Sequence, residues 1–170
     1  KKMYYESGSL ADIGLKALEA AYRKQVELSE SGTIGIKVSK GSGGDTSLKG
    51  DIESEKEVIR FLREQNFPAI VYAEEHSAWE PIITGGENPK YLVVIDGFDG
   101  SSALAKNPKS RGGTMIAIAN NLNQRYFNFI FGGITDFSTD RIIYGLNMNG
   151  TFLRTYNEAS KFGEMQMQKF

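Results

Sequence analysis

The chain has 170 residues, 40% of them hydrophobic, and a formal net charge of -1 from 20 basic and 21 acidic side chains. This length and composition suit one compact domain with a real core, and the near-neutral charge gives no general attraction to nucleic acid or to acidic membranes. The absence of cysteine excludes disulfides and thiol chemistry, and the single histidine argues against a histidine-rich site, so a bound metal would be a hard cation held by oxygen ligands.

The sequence also carries no membrane or export signal. No apolar run approaches the roughly 20 residues that a transmembrane helix needs. The N-terminal stretch KKMYYESGSL lacks the apolar region of a signal peptide. We therefore expect a cytoplasmic protein that binds neither nucleic acid nor membrane.

Helical periodicity comes first along the chain. Apolar side chains at intervals of three and four residues predict a helix over Ser9–Leu28. Alternation predicts a strand over Thr33–Val38, and a glycine-rich loop, residues 40–51, follows it. A second helix is predicted over Ile52–Gln65, and Pro68 prevents its continuation.

Strand patterns occupy the rest of the chain. Two short apolar runs, residues 69–73 and 91–95, are typical of buried strands, and the Pro- and Gly-containing segment Ser77–Lys90 between them reads as a loop. Further strands are predicted at hairpin spacing over Thr114–Ala119, Tyr126–Thr135, Arg141–Leu146 and Thr151–Arg154. This order predicts an α+β fold, with two helices packed on a largely antiparallel sheet.

Two aspartates stand at the end of the most apolar run. In YLVVIDGFDGSSAL, residues 91–104, Asp96 and Asp99 are three positions apart among glycines and serines. Unpaired carboxylates beside a core are costly, and a cation between them would remove that cost, with the Phe98 carbonyl as a further ligand. A turn in which the aspartates cap backbone N–H groups explains the same residues equally well.

A second pair of acids leaves the other buried strand. Glu74 and Glu75 follow residues 69–73, and if the two strands are neighbours, Glu75 and Asp96 lie close together. The alternative is a solvated loop, on which His76 is a bystander.

A third acidic segment precedes the second helix. The loop KGSGGDTSLKGD, residues 40–51, supplies Lys40, Asp45 and Asp51. Its glycines match no phosphate-loop or dinucleotide pattern, and Asp51 is alternatively the N-cap of the helix. Each segment taken singly therefore has a plain structural explanation.

Taken together and in order, the three segments resemble the inositol monophosphatase superfamily, which also holds fructose-1,6-bisphosphatases and lithium-sensitive nucleotide phosphatases. The resemblance covers roughly residues 10–155. It rests on the spacing of Lys40, Asp45, Asp51, Glu55, the run Glu74-Glu75-His76-Ser77 and the run from Asp96 to Ser101. The family signature D-P-I-D-G-T/S reads D-G-F-D-G-S here, with Gly97 in the proline position. That change removes a restraint on φ, which would loosen the loop, and keeps every ligand-bearing atom.

The resemblance implies a Mg²⁺-dependent phosphomonoesterase. It would hydrolyse inositol monophosphate, or a sugar phosphate such as fructose 1,6-bisphosphate, by water that the metal activates, with two or three Mg²⁺ ions as cofactors and Li⁺ as an inhibitor. The implied metal ligands are Glu75, Asp96, the Phe98 carbonyl and Asp99. The implied catalytic residues are Asp51 and Ser101, which orient the water, and Glu74 in the outer shell; backbone N–H groups of Gly100 and Ser101 would bind phosphate.

The resemblance also implies a domain division. Residues 1–155 would form the N-terminal metal-binding half of a layered αβαβα sugar-phosphatase fold, and residues 156–170 would begin a connection to a C-terminal domain outside this chain. That domain would supply one more aspartate for the second metal and most contacts to a small phosphorylated substrate. Asp136 and Asp140 lie in a predicted turn and are not proposed as substitutes. We expect a homodimer and a chain that is part of a longer protein.

Two other interpretations of the acidic segments are possible. A module that binds metal or phosphate without turnover fits the missing third aspartate, and a plain α+β interaction domain fits if the acids are only turn caps. The basic residues Lys106, Lys109 and Arg111 either meet a phosphate or lie in a solvated loop.

Overall fold

The computed structural model describes residues 7–40, 46–76, 80–107, 110–122, 125 and 128–156. Within these residues the chain forms three helices, α1 (Ser7–Glu30), α2 (Lys49–Glu64) and α3 (Ser101–Leu104). The strands are β1 (Lys37–Lys40), β2 (Thr46–Leu48), β3 (Ala69–Ala73), β4 (Ile82–Thr84), β5 (Tyr91–Asp99), β6 (Gly113–Ala119), β7 (Phe129–Asp136), β8 (Arg141–Leu146) and β9 (Gly150–Thr155). None of the described helices is long and apolar enough to cross a membrane.

The described strands form one large sheet and one small antiparallel pair. The large sheet has the order β4-β3-β5-β6-β7-β8-β9, and β1 pairs with β2. Only the pairing of β3 with β5 is parallel among the described strand pairs of the large sheet. The predicted α+β architecture, helices on a largely antiparallel sheet, is therefore confirmed.

Both long helices cover the same face of the large sheet. α1 lies on β6, β7 and β8, and α2 lies on β5 beside α1. Their apolar stripes are buried because these faces point at the sheet; the fully buried side chains include Leu18, Tyr22, Val58 and Leu62. The core thus lies between the helix layer and the sheet.

Some elements differ from the prediction. β4 falls inside the segment predicted to be a loop, where it pairs antiparallel with β3. The first strand begins at Lys37, because Thr33–Ile36 makes hydrogen-bonded turns after α1 instead. α2 begins three residues before Ile52. Of residues 156–170, predicted to begin a connection, all but Tyr156 lie outside the described residues, so the division at residue 155 stays a prediction.

Candidate active site

The parallel pairing of β3 and β5 brings two acidic segments to one edge of the sheet. Ala73 lies opposite Ile95, and the Glu74 N–H donates to the Ile95 carbonyl at 3.3 Å. Glu74 and Glu75 therefore emerge directly beside Asp96. The two strands that these acids follow are therefore neighbours, as predicted, and Glu75 and Asp96 line the same cavity because parallel strands end at the same edge.

A β-bulge brings Asp96 and Asp99 to one face of β5. Residues three apart on a regular strand point to opposite faces. Here Asp96 pairs with Met115 and Asp99 pairs with Gly113, so three steps along β5 match two along β6. The extra residue restores the alternation, and both aspartates project on the same side.

Gly97 lies in this bulge and has no room for a side chain. A Cβ at Gly97 would lie 2.1 Å from the carbonyl oxygen of Asp51, in the first turn of α2. The Gly97 carbonyl also accepts a 2.8 Å hydrogen bond from the Thr114 hydroxyl. The loosening expected from glycine in the proline position is therefore countered by close contacts on both sides of the bulge.

Asp51 has two differently used carboxylate oxygens. It is the third residue of α2, and Oδ2 accepts the Leu48 N–H at 2.7 Å. Asp51 thus caps the helix from inside its first turn, whereas the sequence suggested the N-cap position. The other oxygen, Oδ1, is buried and has no hydrogen-bond partner among the described residues. Such an oxygen is costly unless a ligand or water meets it.

Glu55, one turn further along α2, holds the Glu74–Glu75 loop from beneath. Its side chain is fully buried, and Oε2 accepts the Glu75 N–H at 2.9 Å. Oε1 lies 3.4 Å from His76 Nδ1, so His76 contacts an acid of the cluster rather than solvent alone. Glu75 also accepts a hydrogen bond from the Ser47 hydroxyl. Ser47 was not predicted; its only signal is its place in the implicated loop 40–51.

The buried acids of this cluster have raised pKa values. Burial, and then the charges of neighbouring carboxylates, raise the pKa of Asp96 to about 7 and that of Asp51 to about 6. The same causes raise the pKa of Glu55 to about 7. The neighbours acting on Asp96 include Glu74 and Asp99. Within the described residues, no lysine or arginine forms an ion pair with these acids.

The carboxylates of the described acids do not converge on one position. Among the described residues, no three acidic or histidine side chains lie close enough together to hold one metal ion as they are oriented here. Glu74, Glu75, Asp96 and Ser101 line one cavity of about 1430 Å³, together with Lys37 and Lys106. Neither Asp51, with 3% of its surface exposed, nor Asp99, which is exposed, is among the residues that line this cavity.

The segment after Asp99 turns sharply into α3. Gly100 has a φ of 98°, and a Cβ there would lie 2.8 Å from the Arg111 carbonyl oxygen, so glycine is required. Ser101 follows as the first residue of α3. Phe98 is buried, and its N–H donates to Asp96 Oδ1 at 3.1 Å.

Some predicted residues fall outside the part of the chain that the structure describes. They are Asp45, Ser77 and Lys109, together with the side chain of Lys40. Of the predicted basic stretch, Lys106 borders the cavity, whereas Arg111 is exposed and contributes its carbonyl to the wall behind Gly100.

Comparison with known structures places this fold in a class. The chain superimposes on fructose-1,6-bisphosphatase from Leishmania major in holo form with a TM-score of 0.75 and 14% identity, covering 95% of this chain and 54% of that one. Extragenic suppressor protein SuhB from Bartonella henselae matches with a TM-score of 0.64 and 20% identity, over 84% of this chain and 50% of that one. The sequence matches no protein-family model and no curated protein.

These similarities establish the fold. The chain has the architecture of the fructose-1,6-bisphosphatase and SuhB structures, which confirms at the level of fold the resemblance read from the acidic segments. It spans about half the length of each of these solved structures.

Proposed function

We propose that this chain carries the metal-binding loops of a Mg²⁺-dependent phosphomonoesterase. The observation that carries the proposal is a set of acids with raised pKa, Asp96 at the sheet edge and Asp51 in the first turn of α2 that packs against it, near a cavity large enough for a small phosphorylated substrate. The fold similarity to a fructose-1,6-bisphosphatase supports the same class of reaction.

The residues present suit a hard divalent cation. The donor set is entirely oxygen, the acids repel one another, and Asp51 Oδ1 is buried without a partner among the described residues. We assign Glu75, Asp96, the Phe98 carbonyl and Asp99 as the groups that would hold Mg²⁺. When bound, such ions lower the pKa of water and neutralise charge on a phosphoryl group.

The remaining residues would orient the reactants. We assign Asp51 Oδ1 and the Ser101 hydroxyl to hold the attacking water, and Glu74 to support them from the rim. The N–H groups of Gly100 and Ser101 would bind phosphate oxygens, where the αL conformation of Gly100 turns the backbone into α3.

The substrate, the number of metal ions, the inhibitor, the oligomeric state and the location are also proposals. We propose inositol monophosphate or a sugar phosphate such as fructose 1,6-bisphosphate as substrate, and two or three Mg²⁺ ions as cofactors. Inhibition by Li⁺, a homodimer and a cytoplasmic location complete the proposal.

A second candidate is a module that binds metal or phosphate without turnover. It is favoured by the orientation of the described acids, of which no three converge on one ion. Calorimetric titration of the full-length protein with Mg²⁺ and inorganic phosphate, combined with a phosphate-release assay, separates the candidates: both should bind, but only the phosphatase should release phosphate from substrates.

The decisive experiment measures phosphate release from inositol 1-phosphate and from fructose 1,6-bisphosphate by the full-length protein with Mg²⁺. Asp96→Asn should lower kcat/KM by at least roughly a hundredfold, because it removes a negatively charged oxygen ligand of the proposed Mg²⁺. Asp12→Asn, on the exposed part of α1, is the matched control and should have no effect. Unchanged activity in Asp96→Asn would refute the assignment.

A further inference from the structure

A fully buried polar network lies directly behind the bulge that carries the two aspartates. It consists of Gln25 on α1, Thr114 on β6 and Thr135 on β7, and all three side chains have 0% exposure. Buried polar groups of this kind must satisfy one another, because no water reaches them. Their arrangement connects the helix layer to the acidic loop through the sheet.

The direction of every hydrogen bond in this network is fixed. The Gln25 side-chain amide donates to Thr114 Oγ1 at 2.7 Å. The Thr114 hydroxyl has one proton of its own, and it donates this proton to the Gly97 carbonyl at 2.8 Å. Thr135 Oγ1 accepts the Thr114 N–H at 2.8 Å and donates to Gln25 Oε1 at 3.1 Å. Each threonine hydroxyl is thereby used once as donor and once as acceptor.

Thr114 occupies the position where the ladder is interrupted. It is the one residue of β6 between Gly113 and Met115, the partners of Asp99 and Asp96, so it faces the bulge. Its hydroxyl provides the bulged Gly97 carbonyl with a donor. Gly113 lets β7 approach this point, because a Cβ at Gly113 would lie 1.6 Å from the Thr135 carbonyl oxygen.

The geometry points to Gln25, Thr114 and Thr135 as a positioning network that fixes the bulge and thereby the placement of Asp96 relative to Asp99. None of the three contacts the cavity; they act through the Gly97 carbonyl. The consequence for metal affinity rests on the proposed function, whereas the consequence for the bulge itself does not.

A matched pair of variants and a distant control separate positioning from simple core stability. Thr114→Val removes the hydroxyl and keeps the shape, and Thr114→Ser keeps the hydroxyl. Thr84→Val is the control, since Thr84 is also buried and donates from its hydroxyl to a backbone carbonyl, that of Phe67 at 2.6 Å, but on β4. Both valine variants lose a hydroxyl-to-carbonyl hydrogen bond, and Thr114→Val also removes the acceptor of the Gln25 amide.

The first measurement is amide hydrogen exchange at residues 97–99 in the full-length protein without metal. Thr114→Val should speed exchange there at least tenfold more than Thr84→Val does, and Thr114→Ser should stay close to wild type. Equal exchange in the two valine variants would overturn the inference. If Thr114→Val does not fold, Gln25→Met replaces it, with the same expected direction because it frees the Thr114 hydroxyl.

The second measurement is the affinity for Mn²⁺, followed by its electron paramagnetic resonance signal. We expect about tenfold weaker binding in Thr114→Val and no more than twofold in Thr84→Val. Altered exchange without any weakening of Mn²⁺ binding would overturn the positioning role for the metal site. A wild-type protein that binds no Mn²⁺ would instead contradict the proposed function, and the exchange result would still decide whether the network holds the bulge.

Discussion

Gly97 shows how one residue can be constrained by the backbone of a distant element. Its missing side chain admits the Asp51 carbonyl, which would lie 2.1 Å from a Cβ. This contact places the first turn of α2 against the bulge of β5. Asp51 and Asp96 are therefore positioned together through main-chain packing, before any metal is considered.

Gly97→Ala should consequently destabilise the fold and weaken Mg²⁺ binding. The overpacked methyl group should lower the free energy of unfolding by about 1–3 kcal/mol, as measured by urea denaturation. Gly132→Ala is the control, since a Cβ on this β7 glycine meets nothing within 4 Å, and its free energy of unfolding should be unchanged or slightly higher. Equal stability of the two variants would contradict the close contact.

Asp96 and Asp136 provide carboxylates with opposite pKa shifts. Burial and neighbouring acids raise the pKa of Asp96 to about 7. For Asp136, burial acts in the same direction, but hydrogen bonds from Thr139 at 2.6 Å and Ser138 at 2.8 Å outweigh it and lower the pKa. The ionised form is thus disfavoured at the first site and favoured at the second.

Neutralising these two aspartates at about pH 8 without metal should therefore have opposite effects on stability. Asp96→Asn should raise the free energy of unfolding by about 1–2 kcal/mol, because it removes a charge that burial and its neighbours disfavour. Asp136→Asn should lower it by up to about 1 kcal/mol, because it weakens charge-assisted hydrogen bonds. Thermal denaturation of both variants tests the pair, and a destabilised Asp96→Asn protein would contradict the prediction that burial and neighbouring acids disfavour the Asp96 charge.

Sequence reasoning reached the acids but not the residues that hold them. Asp96 and Glu75 could be predicted because each lies just after an apolar run, and the end of such a run marks the end of a buried strand. Gln25 and Thr114 are 89 positions apart, and a polar residue within an apolar pattern carries no information about such a partner. The bulge was also invisible, since the spacing of Asp96 and Asp99 does not state which face each takes.

At the level of elements, the predicted strand limits agree with the structure where an apolar run gives way directly to a charged or turn residue. β3 and β8 have the predicted limits, because a charged or turn residue follows each apolar run directly. β4 was missed because it has three residues between Pro81 and Gly85, where turn signals dominate. In the turn before β9, positive φ values fall on Met148 and Gly150, whereas the residue types favour them at the Asn149-Gly150 pair.

The edge strand β9 is tied to α1 by an ion pair. Arg154 lies 2.6 Å from Glu19 Oε1, and Glu19 is buried. Burial raises the pKa of Glu19, while the charges of Arg154 and Arg23 act in the opposite direction. The pair therefore compensates a carboxylate that would otherwise be poorly solvated between a helix and the sheet.

Arg154→Met should destabilise the protein by about 1–3 kcal/mol at neutral pH, because it leaves a buried carboxylate with less compensation. Lys16→Met is the control: Lys16 pairs with Asp12 at 2.7 Å on the surface of α1, and exposed pairs contribute between about 0 and 1 kcal/mol. Urea denaturation of the two variants measures the difference. Equal losses would show that burial of Glu19 adds nothing to the cost.

For the molecule as a whole, the two faces of the sheet have different roles. The helices bury one face, whereas the other exposes apolar side chains such as Val94 at 41% and Met115 at 42%. Both of these residues line the cavity that also contains Glu75 and Asp96. The acidic edge therefore opens onto an apolar floor, a combination typical of sites that bind small molecules.

The acidic cluster should also govern how stability depends on pH. The pKa values of Asp51, Glu55 and Asp96 are about 6, 7 and 7 in the folded protein, above the ordinary values of 3.8 for Asp and 4.5 for Glu. Carboxyls of this kind bind protons more tightly in the folded state. Their contribution to stability is complete below about pH 4 and is lost as the pH rises through about 7.

Metal-free protein should therefore lose on the order of 2 kcal/mol of this contribution between about pH 5 and about pH 8. Millimolar Mg²⁺ should restore stability at the higher pH and have little effect at the lower one, because protons compete with the cation for the same oxygens. Urea denaturation at both pH values, with and without Mg²⁺, measures the effect. Asp96→Asn isolates the cluster from other titrating groups, since it should flatten both the pH dependence and the response to Mg²⁺. A Mg²⁺ response that is equal at the two pH values, or that persists in Asp96→Asn, would mean that the cation binds elsewhere.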